Sequence, residues 1–114
     1  MTQTFRIPGA VFDWLPNIAK ARNDGAASDD LLVFREERGR GTSVLVTART
    51  RFSIEQVLNE LASAASARIV DTGADRNTAR QAGIVYSTAV EQVRNAGYDI
   101  KSSRRNRITT HAIS

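Results

Sequence analysis

Between residues 42 and 65 the apolar spacing of the chain changes period. In TSVLVTARTRF (42–52), Val44, Val46, Ala48 and Phe52 occupy alternate positions, which places them on one face of a strand and predicts that face as core. From Ser53 onward Ile54, Val57, Leu58, Leu61 and Ala65 follow the i, i+3, i+4, i+7 spacing of a helix. A one-faced strand followed directly by a one-striped helix has to bury each against the other, so the fold class is α+β.

The flanking segments extend this scheme. TFRIP (4–8) reads as an extended segment. A helix follows, capped by Asp13, with Pro16 in its first turn, where a missing N–H costs nothing. Trp14, Leu15, Ile18 and Ala19 form its apolar stripe, and Gly25 fits its end. NDGAASDD (23–30) is polar and turn-rich. LLVFREER and TSVLVTARTRF flank GRG at Arg40 and read as a β-hairpin. The spacing Ser53-x-x-Gln56 predicts a capping box that opens the next helix, which DTGAD (71–75) ends. No internal repeat or linker divides the 114 residues, which form one domain with a scaffold in 1–75 and a distinct unit in 76–114.

Charge separates the same two parts. Residues 76–114 hold seven basic side chains (Arg76, Arg80, Arg94, Lys101, Arg104, Arg105, Arg107) against Glu91 and Asp99, a net of +5. Residues 1–75 hold nine basic and ten acidic side chains. A neutral front and a basic rear direct the rear toward something anionic. The 14 arginines against two lysines point to a bacterial, plasmid or phage gene of high GC content.

Residues 76–96 admit two readings. In the first, Ala82, Tyr86, Ala89, Val93 and Ala96 step by 4, 3, 4 and 3 along one side of a single long helix suited to packing or dimerisation. In the second, Gly83 forms a turn, because glycine costs about 1 kcal/mol inside a helix and the β-branched Ile84 and Val85 follow it. A short helix then spans 76–82 and a second runs from Ser87 to Ala96, with Ile84, Val90 and Val93 in the joint.

In the second reading, Ala79-x-x-x-Gly83-Ile84 followed by STAVEQV resembles the helix-turn-helix family of DNA-binding domains. NAGYDIKSSRRNRITTHAI extends the resemblance to winged members: Gly97 caps the helix, YDIK and ITTHAI are strands, and SSRRNR is an arginine-rich turn. The architecture implied is an N-terminal helix and β-hairpin packed on a helix, followed by a helix-turn-helix with a C-terminal β-hairpin wing. The resemblance implies that Tyr86, Ser87, Thr88 and Gln92 face the bases, with Gln92 able to pair bidentately with adenine. It also implies that Arg76, Arg80 and Arg94 contact phosphates and that Arg104, Arg105 and Arg107 form the wing contact. Such a reading requires a break near Gly83 and two strands flanking Arg104 to Arg107.

Catalysis is not expected. There is no cysteine, the single histidine (His111) has no second ligand at metal spacing, and Asp29-Asp30 and Glu36-Glu37 fall where solvation explains them. GRG is too short to cradle a phosphate, and GADRN lacks the lysine of a P-loop. No cofactor, metal or small-molecule substrate is implied. No apolar run spans a bilayer and the start of the chain lacks a signal-peptide layout, so a cytoplasmic setting without membrane contact is expected. Two function classes follow: a small DNA-binding transcriptional regulator, expected as a homodimer, or a protein-binding module, such as a phage-encoded inhibitor of a host defence complex, whose basic rear docks on an acidic protein surface.

Overall fold

The computed structural model describes residues 2–24, 31–39, 41–66, 76–106 and 108–114. Gly25, Arg40, Arg107 and the DTGAD segment (71–75) lie outside the described residues. The element order is β1 (Gln3–Pro8), α1 (Gly9–Phe12), α2 (Pro16–Asp24), β2 (Leu32–Arg38), β3 (Thr42–Ala48), α3 (Arg51–Ala65), α4 (Arg76–Asn95), β4 (Ile100–Arg105) and β5 (Ile108–Ile113). The fold is α+β, as the change of period predicts. Both sheets are antiparallel, one of three strands in the order β1-β3-β2 and one of the two strands β4-β5. No described helix is long and apolar enough to cross a membrane.

Strand register explains where the core lies. Val46 sits between Phe5 and Phe34, Val44 is opposite Ile7, and Ala48 is opposite Leu32. Alternation therefore puts all seven on one face, and six of them are buried, with Phe34 packed against them. Phe12 and Leu15, and then Ile18 of α2, close over that face, and the Phe12 ring meets the edge of Phe34 at a centroid distance of 6.2 Å. Ile54, Val57, Leu58 and Leu61 of α3 complete the core.

Three buried polar side chains each fix a junction. Ser53 donates its N–H to Thr50 Oγ1, and the Thr50 N–H donates back to Ser53 Oγ, so the capping box begins at Thr50, three residues before the Ser53 that the S-x-x-Q spacing predicts. The strand alternation stops at Ala48, and Phe52, expected in the core, stands in the first turn of α3 with 66% of its surface exposed. Glu60 is the second: its Oε1 accepts the Asn17 N–H at 2.7 Å and caps α2 from another element. Burial raises the Glu60 pKa, while the N–H groups of Asn17 and Ile18 pull it back. Asp13 does not cap that helix. It ends α1, and α2 starts at Pro16, leaving Trp14 at the surface. His111 is the third and belongs to the C-terminal sheet.

The helix-turn-helix expectation is corrected by α4, which runs unbroken from Arg76 to Asn95. The seam reading describes it: Ala82, Ala89 and Val93 are buried, and Tyr86 packs against the core beside them. Breaking the helix at Gly83 would forfeit that seam and the bonds around it, against a glycine cost of only about 1 kcal/mol. Gly83 is not in the left-handed region, which among described glycines holds Gly41 and Gly97 alone. A Cβ at Gly83 would rest 4.0 Å from the Ala65 Cβ, an ordinary contact between α4 and α3. Gly83→Ala is thus expected to stabilise the protein by about 0.5–1 kcal/mol, read as a higher denaturant midpoint, whereas a true turn at this site would make it destabilising. Gly97, at φ 95°, is the real stop. There Gly97 N–H bonds to Arg94 O and Tyr98 N–H to Val93 O, the paired pattern that ends a helix on a left-handed residue.

Two strands form the C-terminal end as expected, but β4 runs on through Ser102 to Arg105, which pair with β5, so SSRRNR is not the arginine-rich turn that the wing resemblance implies: pairing continues to the left-handed Asn106. The β4-β5 ribbon turns through Asn106, at φ 52°, and the backbone of Asp99 and Ser114 closes its other end with reciprocal bonds of 3.0 Å.

Candidate nucleic-acid interface

A two-stranded ribbon is marginal by itself, and this one is held by side chains of α3. Glu55 Oε1 accepts the Ile113 N–H at 2.8 Å, and Asn59 Oδ1 accepts the His111 N–H at 2.8 Å. Four residues of helix rise about 6 Å and two residues of strand about 6.6 Å, so side chains one helical turn apart match successive outward N–H groups of β5. Two outward N–H groups of β5 are thereby satisfied without a third strand.

His111 locks the contact. Because the backbone N–H fixes Asn59 Oδ1 as the atom facing β5, His111 Nδ1, 2.7 Å from the same oxygen, must carry a proton. In the neutral ring Nε2 then accepts from the Tyr86 hydroxyl at 2.6 Å, which ties α4 to the ribbon. Burial lowers the His111 pKa and raises that of Tyr86, the latter offset by the nearby Arg94 charge.

A sign follows for acid stability. The unfolded imidazole takes up a proton near its ordinary value of 6.5, and the folded one only at lower pH. The contribution of His111 is therefore fully present above pH 6.5 and is lost as pH falls through that value toward the depressed one. Thermal unfolding of the wild type should weaken over this range, and His111→Gln should remove that component. An unchanged pH profile in the variant would refute the assignment. Glu60, whose pKa is raised, acts in the opposite direction, so the difference between the two proteins is the informative quantity.

With its inner face occupied, the ribbon presents the other face outward. Register pairs Lys101 with Ala112, Ser103 with Thr110, and Arg105 with Ile108, and all six are exposed. The Ser103 and Thr110 hydroxyls are 2.9 Å apart at the centre of this face, with a cation on either side along β4. Arg104 alternates to the opposite face yet is also exposed.

The basic residues of α4 form a second strip. Arg80, Ser87 and Arg94 are seven residues apart, about two turns, and Arg76 precedes Arg80 by about one, so all four share a side of the helix and all are exposed. Arg94 acts on the Tyr86 hydroxyl that meets β5, so the strip runs toward the ribbon. The ion pairs among the described residues, Arg6–Glu37 and Arg22–Glu36, belong to the N-terminal part. Arg76, Arg80, Arg94, Lys101, Arg104 and Arg105 take part in neither.

Two expected base readers are otherwise engaged. Gln92 Nε2 donates to Gln3 Oε1 at 3.0 Å and to the Thr4 carbonyl at 2.8 Å, covering the open edge of β1, so its amide is not free to pair with adenine. Tyr86 is spent on His111. Ser87 and Thr88 are exposed, although the Thr88 hydroxyl donates to Ile84 O at 2.9 Å. Arg107 lies outside the described residues. Sequence reasoning missed Lys101, Ser103 and Thr110 as a group. Pairing the strands about Asn106 and applying two-residue alternation would have found them. Comparison of the chain with protein-family models, curated proteins and solved structures finds no match.

Proposed function

We propose that this is a small DNA-binding protein of regulatory type that contacts duplex DNA through the outward face of the β4-β5 ribbon, with the arginine strip of α4 on flanking phosphates. The observation that carries the reading is the ribbon face itself: Lys101 and Arg105 on either side of the Ser103–Thr110 hydroxyl pair, in a part of the molecule whose six described basic side chains stand outside both described ion pairs. A two-stranded antiparallel ribbon is one of the two elements that the major groove admits, and hydroxyl and guanidinium groups are suited to base edges and phosphates. The recognition-helix mode is replaced, because α4 has no break and the side chains of Gln92 and Tyr86 are engaged by Thr4 and His111.

A single ribbon reaches few base pairs, so sequence-specific binding would use a homodimer on two half-sites. The test is a salt series of fluorescence anisotropy on a short labelled duplex of random sequence. With about four to six phosphates neutralised, log K should fall against log salt with a slope of about −4 to −5. Absent binding, or binding indifferent to salt, refutes the proposal. A protein retained from lysate after nuclease treatment, together with absent DNA binding, would move the basic face to an acidic protein partner.

A further inference from the structure

The outward face of the β4-β5 ribbon is divided lengthwise into two chemistries. Lys101, Ser103 and Arg105 form the β4 row, and their cross-strand partners Ala112, Thr110 and Ile108 form the β5 row. The first row is cationic and hydroxylic, whereas the second is aliphatic: Thr110 already meets Ser103 through its hydroxyl, so its side chain adds a methyl. Ile108 is the largest group of that row, 61% exposed and outside the core cluster. It stands opposite Arg105 in the last pair before Asn106. Single apolar side chains scattered over a surface are ordinary. Here they continue along a strand, beside a row built to meet an anion.

Directly opposite side chains on such a ribbon have Cβ atoms about 4.5–5.5 Å apart, and successive pairs on one face lie about 6.8 Å apart, close to the rise of two base pairs. A ribbon laid along the major groove therefore sets one cross-strand pair against every second base pair. The groove edge of guanine carries two acceptors, N7 and O6, which a guanidinium meets bidentately. The apolar group on those edges is a C5 methyl, that of thymine or of methylated cytosine. An aliphatic side chain on this face can find no other apolar partner in the groove.

We infer that the Arg105–Ile108 pair reads a C5-methylated pyrimidine beside a guanine, with Arg105 donating to guanine N7 and O6 and Ile108 covering the methyl. This rests on the DNA contact proposed above and names the feature of the duplex that it prefers. Thymine next to guanine and a methylated CpG step present the same two groups. Uracil and unmodified cytosine lack only the methyl, which Arg105 does not sense.

The experiment is competition fluorescence anisotropy of the intact protein on duplexes of equal length. One pair is a thymine–guanine repeat with its complement, and the same repeat with uracil for thymine. The other is a mixed sequence whose CpG cytosines are unmodified or C5-methylated. Covering one methyl strengthens binding about fourfold, so the methyl-bearing member of each pair should bind about fourfold tighter. Ile108→Ser should bring the members of each pair within about twofold, whereas Ile108→Val, still β-branched and aliphatic, should keep most of the preference. Neither variant should move the unfolding midpoint beyond the range of surface substitutions, since Ile108 is exposed. A preference in one pair alone also supports the assignment and tells thymine from methylcytosine as its source. Salt-dependent binding with no preference in either pair, or a preference that survives Ile108→Ser, overturns the inference and leaves the DNA contact standing. Absent binding overturns both.

Discussion

Asn59→Ala should detach the C-terminal ribbon and lower unfolding stability by about 2–5 kcal/mol. Its Oδ1 is the acceptor for two His111 donors, the backbone N–H and Nδ1–H, and His111 is 4% exposed. Leaving a buried donor unmet costs about 1–3 kcal/mol, and two are left at once. The amides of His111 and Ile113 should lose exchange protection before those of β3, since the three-stranded sheet does not use this contact. Denaturant midpoints and hydrogen exchange check both parts, and a loss under about 1 kcal/mol would refute the role given to Asn59. Asn59→Asp keeps the oxygen that accepts from both His111 donors and adds a charge that favours the imidazolium. It should therefore retain the ribbon and raise the His111 pKa, diminishing the loss of stability below pH 6.5.

Replacing Lys101, Arg104 and Arg105 together with alanine should weaken duplex binding about a hundredfold, with little dependence on sequence. Each cation is exposed and outside the ion pairs, and an exposed charged contact contributes about 1 kcal/mol, so three approach two orders of magnitude. The salt slope should flatten by about 2.7, at about 0.9 for each phosphate that is no longer neutralised. Because no core side chain changes, the unfolding midpoint should stay within the range of surface substitutions. The control removes Arg6 and Arg22, which already have carboxylate partners, and should leave the slope unchanged. An unchanged slope in the triple variant would show that the ribbon is not the contact, even if the protein binds DNA.

The parts of this fold governed by local period were legible. Alternation in β3 as far as Ala48 and the stripe of α3 from Ile54 to Leu61 predicted core positions that are buried, Phe52 being the exception, and Gly97 marked the end of α4 because the left-handed region favours glycine there. Errors arose where a local rule met a distant partner. Gly83, Ile84 and Val85 disfavour a helix by small increments, but the packing of Ala82, Ala89 and Val93 acts over the whole seam and outweighs them. Thr50 and Ser53 each fit a cap, and where the strand ended decided between them. The site divided the same way. The exposure of Arg76, Arg80, Arg94, Arg104 and Arg105 agrees with their charge. Gln92 and Tyr86 share the chemistry of surface readers, and only their partners at Thr4 and His111 mark them as structural.

The cover that Gln92 gives to β1 also has a consequence for synthesis. Thr4 and Gln92 are 88 residues apart, so at about 5–20 residues per second the cover follows its strand from the ribosome by roughly 4–18 s. β1 must also wait for β3, since it pairs with no other described strand. Until β3 emerges the nascent chain offers an apolar strand bearing Phe5 and Ile7 with no neighbour on either side, and from then until Gln92 arrives one edge of that strand stays uncovered. Expression yield should therefore respond to Gln92 substitutions and to chaperone supply more strongly than equilibrium stability does.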